Sequence, residues 1–372
     1  MFRHRLATLN TVLLKQEALW RNLRVFEEIA SGKQVVPVLK SNAYGHGIQE
    51  IAGMLDGKVG MVAVDSYYEA TLVLPVFGGR ILVLGYIPRE NDPWLKRGRI
   101  EYVVQTVRDL RAMARTGKKF GVHMEINTGM NRMGIRLDEV DEYLDYLEKH
   151  PRLVLNGVMT HLSGADEVEK AGTIRQLEEF DAVCEKVLDR GFRPEFMHAS
   201  ATAGAVKDGS RYTNAVRLGV GLYGVNPLSK DDEYYGELEG LEPVMSFRSK
   251  IIKIQMVKRG ERVSYNGTWE ARRDSRVAVL PVGYYEGVPR ELSGRGFVRV
   301  GAGGAAKDEP LQRAPVVGRV CMNHTMVDVT DVLDVKEGTE VTVPVLEWAE
   351  EFGISPYELL VRVNSTIRRE II

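Results

Sequence analysis

The sequence predicts an α/β chain of two domains: a (β/α)8 TIM-like barrel over residues 1–238 and a mainly-β C-terminal domain over 239–372. Two observations lead there. Eight short, apolar, β-branched runs alternate with stretches of helical periodicity up to about residue 235, and near residue 240 the pattern changes to strands separated by turns rich in Gly, Asp and Lys. In order, the expected barrel strands are VVPVLK (35–40), GMVAVD (60–65), RILVLG (80–85), EYVVQT (101–106), FGVHMEIN (120–127), LVLNGVMTHL (153–162), EFMHAS (195–200) and AVRLGVG (215–221). Continuous apolar runs suit parallel strands covered on both faces. The clearest helix between them is EKAGTIRQLEEFDAVCEKVLDRG, with apolar residues at helical spacing and a glycine stop. Eight strand–helix repeats fit a closed barrel; a doubly wound open sheet is the alternative, because counting strands does not show closure. The second domain is expected to take SFRSKIIKIQMVK, RVAVLPVGYY, GFVRVG, RAPVVGRVCMNHTMVDVT and EVTVPV as strands, followed by a short helical tail, with GAGGAAKDE (301–309) as a loop.

Composition narrows the function. The chain has 372 residues with 50 basic and 51 acidic side chains, a net charge of -1. Balanced charge argues against nucleic acid as the main partner. No stretch approaches the ~20 apolar residues of a membrane helix. Two cysteines, Cys184 and Cys321, make no disulfide framework, and with no secretion-type leader the expected location is cytoplasmic. GVGLYG (219–224) and GAGGAA (301–306) imitate dinucleotide motifs, but each runs into Pro-containing polar sequence where a helix would have to begin. The amides of GVG remain able to hold a phosphate at the end of a barrel strand. No H-E-x-x-H pair occurs, and no metal is expected.

The sharpest local signal is VVPVLKSNAYGHG (35–47), in which Lys40 ends an apolar strand. At the C-terminal end of a barrel strand a lysine points into the active-site mouth, and desolvation makes its amine a nucleophile. Taken by itself, a lysine snorkelling from a strand end is the commoner case. The segment resembles the cofactor-lysine motif of the alanine racemases, two-domain fold-type III enzymes. The resemblance continues in order through NTGMNRMG (127–134), MTHLSGADE (159–167), HASATAG (198–204), VRLGVGLYG (216–224), VSYNGTW (263–269), VGYYEGVPR (282–290) and GRVCMNHTMVD (318–328).

That resemblance implies a pyridoxal 5'-phosphate enzyme acting on an amino acid, and a homodimer in which each barrel mouth is completed by the partner's β domain. Lys40 is implied as the Schiff-base lysine and one of two bases, with Tyr265 of the other subunit as the second. Two bases on opposite faces of a flat cofactor invert a Cα centre directly. A free tyrosine titrates near 10, and the resemblance makes His198 the histidine that supports it. Arg217 is implied to face the pyridine nitrogen; a guanidinium cannot accept that nitrogen's proton, so the ring is left a weaker electron sink. Tyr44, Thr202 and the amides of Gly219 and Val220 are implied for the phosphate, His161 beside the ring, Arg132 and the Met322 amide for the substrate carboxylate, and Tyr284 at the entrance.

The sequence departs from the family pattern in four places. Glu125 replaces a lysine that many members carry as a carbamate paired with the arginine matched by Arg132, so Glu125 is expected to supply that negative charge itself. Asn323 and His324 replace Asp and Gln. Tyr285 and Glu286 replace Ala and Asp in the entrance segment. In YELLVRVNSTIRRE, Asn364 or Ser365 falls where some members have a tyrosine near the phosphate and the substrate side chain. Alanine is the expected substrate, with serine or another amino acid as the alternative. A fold-type III decarboxylase is disfavoured by Arg217, because decarboxylation uses an acidic partner at the pyridine nitrogen. A non-catalytic single-barrel cofactor carrier is disfavoured by the extra domain bearing Tyr265.

Overall fold

A computed structural model describes residues 7–88, 91, 98–301 and 311–372. The GAGGAAKDE loop lies outside them apart from Gly301. The chain divides into two compact units: Glu17–Ala43 with Ile48–Pro243, and Val244–Ile372 with Tyr44–Gly47 and the described part of Met1–Gln16.

The first unit contains eight parallel strands: β1 (Gln34–Pro37), β2 (Met61–Val64), β3 (Arg80–Val83), β4 (Ile100–Val104), β5 (Phe120–Glu125), β6 (Leu153–Met159), β7 (Phe196–His198) and β8 (Ala215–Leu218). Strands β2 to β7 form one sheet in sequence order, and β1 pairs with β8 in register Val36↔Arg217. Two seams close the ring. Val38 bridges Ala63 in parallel beyond the end of β1. The amides of Asn214 and Arg217 donate to the carbonyls of Met197 and Ser200, at 2.9 and 3.0 Å. This is the barrel expected from the sequence: six strands lie within their predicted runs, while β1 and β4 begin one residue earlier, at Gln34 and Ile100. Every residue of β2 and β4 is buried; β2 is accordingly all apolar, and β4 is apolar except for Glu101. Helix starts are set by local chemistry: Ser66 with Glu69 and Thr106 with Asp109 form capping boxes at Tyr67–Val73 and Val107–Arg115. The long predicted helix is α-helical over Ala171–Asp189, and Gly191 follows at φ +84°.

The second unit is mainly β. Its six-stranded sheet takes, in spatial order, Gln312–Pro315, Phe297–Val300, Glu340–Val343, Met245–Lys250, Thr11–Leu14 and Arg368–Ile371. A three-stranded sheet joins Lys253–Val257, Ser275–Leu280 and Thr325–Asp328. The long run RAPVVGRVCMNHTMVDVT is not one strand: it breaks after Pro315 and resumes at Thr325, leaving the intervening residues as a loop.

The chain does an unusual thing directly after Lys40. Ser41, Asn42, Ala43 and Tyr44 all have left-handed backbone conformations, with φ between 50° and 56°, and Gly45 follows at +80°. Left-handed turns of non-glycine residues cost on the order of 1–2 kcal/mol each. Asn42 helps hold this one, since its Oδ1 accepts from the Ile48 amide at 2.9 Å. Within the second unit, a Cβ at Gly45 would lie 2.0 Å from the Leu360 carbonyl oxygen. Gly45→Ala should therefore destabilise the chain by roughly 2–4 kcal/mol, read as a lower denaturation midpoint. An unchanged midpoint would contradict this packing.

Candidate active site

The barrel brings together a set of polar side chains at the C-terminal ends of its strands. Lys40 lies three residues beyond β1 and is half-buried, and it makes no hydrogen bond or ion pair with any described residue. A half-enclosed ammonium without a partner has an energetic cost and no structural purpose.

Arg217, third residue of β8, is 3% exposed. Its Nη1 donates to His198 Nδ1 and to the His198 carbonyl, both at 2.8 Å. Its Nη2 donates to the Thr160 carbonyl at 2.7 Å, the Ala199 carbonyl at 3.0 Å and His161 Nδ1 at 3.1 Å. Only Nε is left without a protein partner. Burial pulls this guanidinium down to about 10, with Glu125 opposing and Arg132 assisting the shift, so it is still charged at neutral pH.

His161 is pushed down to about 3 by burial and then by the positive charges of Arg217, Arg132 and Lys40. It is thus a neutral imidazole with Nδ1 facing Arg217 and Nε2 unengaged. His198 is held well below the ordinary 6.5 by burial, Arg217 and His123. Both its ring nitrogens are used, Nδ1 by Arg217 and Nε2 by His123 Nδ1 at 3.0 Å. No nitrogen of His198 remains for a tyrosine, so its expected hydrogen bond to Tyr265 has no free acceptor or donor; of the two imidazoles that Arg217 touches, the one with a nitrogen left is His161.

These shifts carry a sign. The folded chain keeps His161 neutral where the unfolded chain, titrating near 6.5, binds a proton. Each step of pH below about 6.5 therefore favours unfolding, down to about 3, and the effect vanishes above 6.5. Urea midpoints of the cofactor-free chain should fall with pH in that window, and His161→Gln should flatten the fall. Identical pH slopes for the two proteins would contradict the assignment.

Thr202 lies beside the turn that follows β8. Its Oγ1 accepts from the Gly221 amide at 3.2 Å. The amides of Gly219 and Val220, at the start of that turn, have no partner among the described residues. Ser200 Oγ nearby in sequence is buried without a hydrogen bond. Glu125, Arg132 and His161 line one small, open cleft with Ile126, Asn127, Met130 and Met133. Glu125 and Arg132 share it without a salt bridge: Glu125 Oε2 instead accepts from Gln105 Nε2 at 2.8 Å, and Arg132 is exposed.

In the other unit, Tyr265 is 67% exposed on a turn between the strands Arg262–Val263 and Trp269–Glu270. Ser264 and Asn266 flank it at φ +70° and +61°, and Ser264 Oγ anchors the turn on the Arg319 carbonyl at 2.7 Å. Tyr284 and Tyr285 are paired alongside the Cys321–Met322 segment by amide bonds of 3.0 and 2.9 Å. The Met322 amide itself has no described partner. Two of the departures from the family pattern meet here. Asn323 Nδ2 donates to Glu286 Oε1, and the Gly283 amide donates to Glu286 Oε2, both at 2.8 Å. Glu286 is thus a buried clamp of the entrance segment rather than a group at its opening.

Tyr44 is buried, and burial followed by the neighbouring Tyr357 pushes its phenol up, so it remains a hydrogen-bond donor. The two rings lie 6.2 Å apart. Sequence reasoning missed Tyr357. It placed Asn364 or Ser365 near the phosphate, whereas Asn364 Nδ2 is spent on the Tyr285 carbonyl at 3.0 Å. The available signal was the tyrosine just after Pro356, at the start of the last helix.

A parallel barrel with a strand-end lysine, a buried arginine–histidine cluster and an appended β domain defines a two-domain barrel enzyme. The comparisons identify which kind. The alanine racemase N-terminal domain model matches residues 14–227 and the C-terminal domain model matches 244–371. An alanine racemase of Sorangium cellulosum is 35% identical over 86% of this chain and 84% of its own length. One from Mannheimia succiniciproducens is 30% identical over 97% and 99%. The structure of a Clostridium difficile alanine racemase superposes with a TM-score of 0.89 at 27% identity, covering 99% of this chain and 97% of that one. The chain belongs to the alanine racemase family, whose members are pyridoxal-phosphate-dependent isomerases. No helix among the described residues is long and apolar enough to cross a membrane.

Proposed function

We propose that the chain interconverts L- and D-alanine with pyridoxal 5'-phosphate, in the cytoplasm, as a homodimer with shared active sites. The observation that carries this reading is the unpartnered, half-buried amine of Lys40 in the same barrel mouth as Arg217, whose Nε has no protein partner.

The residues present fit the cofactor. Lys40 would hold it through its amine. Arg217 Nε would meet the pyridine nitrogen, and His161 would lie beside the ring. Thr202, the free amides of Gly219 and Val220, and the protonated phenol of Tyr44 are neutral donors suited to a phosphate dianion. When bound, pyridoxal phosphate supplies an electron sink that acidifies the Cα–H of an amino acid.

The chain's own groups do the rest. Lys40 Nζ removes or returns the Cα proton on one face, and Tyr265 Oη of the partner chain does so on the other. Arg217 stays charged, so it favours an unprotonated pyridine nitrogen and quick reprotonation at Cα over side reactions. No carboxylate pairs with Arg217 among the described residues, which favours racemisation over decarboxylation. Arg132 and the free Met322 amide would receive the substrate carboxylate. Glu125 supplies a negative charge to the Arg132 cleft where the family pattern has a lysine. Tyr284 narrows the entrance.

The test is a racemisation screen of all amino acids in deuterated solvent with pyridoxal phosphate. Alanine should racemise fastest, with deuterium entering Cα of both enantiomers. Carbon dioxide release, or a faster reaction with another amino acid, would overturn the assignment.

A further inference from the structure

Arg217 belongs to a longer chain of buried groups that runs through the barrel interior. His198 Nε2 meets His123 Nδ1 at 3.0 Å, and His123 Nε2 meets Glu101 Oε2 at 2.7 Å. Glu101 Oε1 then accepts from Arg80 Nη1 at 3.2 Å, and Arg80 continues to Glu195 at 2.7 Å. His123 is fully buried and Glu101 is 2% exposed. Room is made for the chain on β6: a Cβ at Gly157 would lie 2.1 Å from His123 Nδ1.

Donor and acceptor counting gives every proton a place. Burial alone would raise Glu101, but the hydrogen bond from His123, the charges around it, Arg80 and Asn156 together hold it below the usual carboxylate range. The carboxylate accepts, so His123 Nε2 carries a hydrogen. Arg217 only donates, so His198 Nδ1 must be a lone pair and its hydrogen sits on Nε2. That hydrogen needs an acceptor, and His123 Nδ1 is the one in reach. Protonating His123 Nδ1 as well would set two donors against each other at His198 Nε2 or at Arg217. The chain thus reads Arg217 to His198 to His123 to Glu101, each donating to the next.

We propose that Glu101 and His123 are positioning residues for Arg217: they fix the proton of His198 on Nε2 and so present its Nδ1 lone pair to the guanidinium. Arg217 forms no salt bridge within 4.0 Å among the described residues; the carboxylate whose charge acts on it directly is Glu125. Glu101 reaches it through the hydrogen bonds of the two imidazoles. The orientation of Arg217 Nε toward a bound pyridine ring rests on the proposed function; the tautomers do not.

The test is nitrogen-15 NMR of the full chain, histidine-labelled and free of pyridoxal phosphate, with assignments from His123→Asn and His198→Asn. His123 and His198 should both be neutral Nε2–H tautomers. In Glu101→Gln, Arg80 should hold the amide oxygen and turn the amide NH2 toward His123. That shift moves the His123 proton to Nδ1 and the His198 proton to Nδ1, facing Arg217. Pyridoxal phosphate affinity and turnover should then fall roughly 10- to 100-fold, as when outer partners of a bound metal's ligands are removed, with KM for alanine moving less than about threefold. Glu101→Asp, which keeps the charge and the acceptor, should retain the wild-type tautomers. An Nδ1–H or doubly protonated His198 in the wild-type chain would overturn the proposal whether or not the enzyme racemises alanine. So would a Glu101→Gln chain that binds the cofactor and turns over as the wild type does.

Discussion

Lys40→Ala should lower turnover of both alanine enantiomers to roughly 10⁻³–10⁻⁴ of wild type or less, and with it the visible absorbance of bound pyridoxal phosphate. Both directions should fall together, since in the proposed function the same amine holds the cofactor and handles the proton on one face. The fold should not suffer. Lys40 has no hydrogen bond or ion pair to lose, and removing an unpartnered, half-buried ammonium relieves a desolvation cost. The denaturation midpoint of the cofactor-free chain is therefore expected to stay within about 1 kcal/mol of wild type or to rise. A large loss of stability would mean that Lys40 serves packing. Retained turnover would mean that another residue serves as the cofactor lysine.

Tyr265→Phe should separate the two directions. Loss of the phenol leaves the Lys40 face intact, so deuterium exchange at Cα should continue from one enantiomer. From the other it should fall by roughly 10³-fold, the upper part of the range for removing a positioned acid–base group. Tyr265 is 67% exposed in the single chain, and its turn is anchored by Ser264 rather than by the phenol. The substitution should change stability by no more than about 0.5 kcal/mol. Equal slowing from both enantiomers would mean that Tyr265 acts on binding rather than on one face.

The barrel was legible because burial on both faces writes a strand as an apolar run: β2 has no exposed residue, and the run that predicted it contains it. What escaped has other physical origins. The left-handed turn at Ser41–Tyr44 puts Ser41, Ala43 and Tyr44 in a conformation their propensities do not favour, and only Asn42, Gly45 and Gly47 hint at it. Thr11–Leu14 pairs with Met245–Lys250 and Arg368–Ile371, partners more than two hundred residues away, and a four-residue segment carries no trace of that. Glu101 and His123 lie in separate strand runs with nothing in the sequence to pair them, because the hydrogen bond between them replaces water only in three dimensions. The pairing of Asn323 with Glu286 makes one change out of two apparently separate departures.

The central claim is that the amine and the phenol acting on one substrate come from different polypeptides. Lys40→Ala and Tyr265→Phe chains, carrying different tags, can be mixed and allowed to exchange subunits. Each mixed dimer would contain one site lacking both groups and one site with both intact. Random exchange of equal amounts makes about half of the dimers mixed, so racemase activity should recover to about one quarter of wild type from two nearly inactive parents. A mixture in which the tags co-purify while activity stays at the parental level would contradict it.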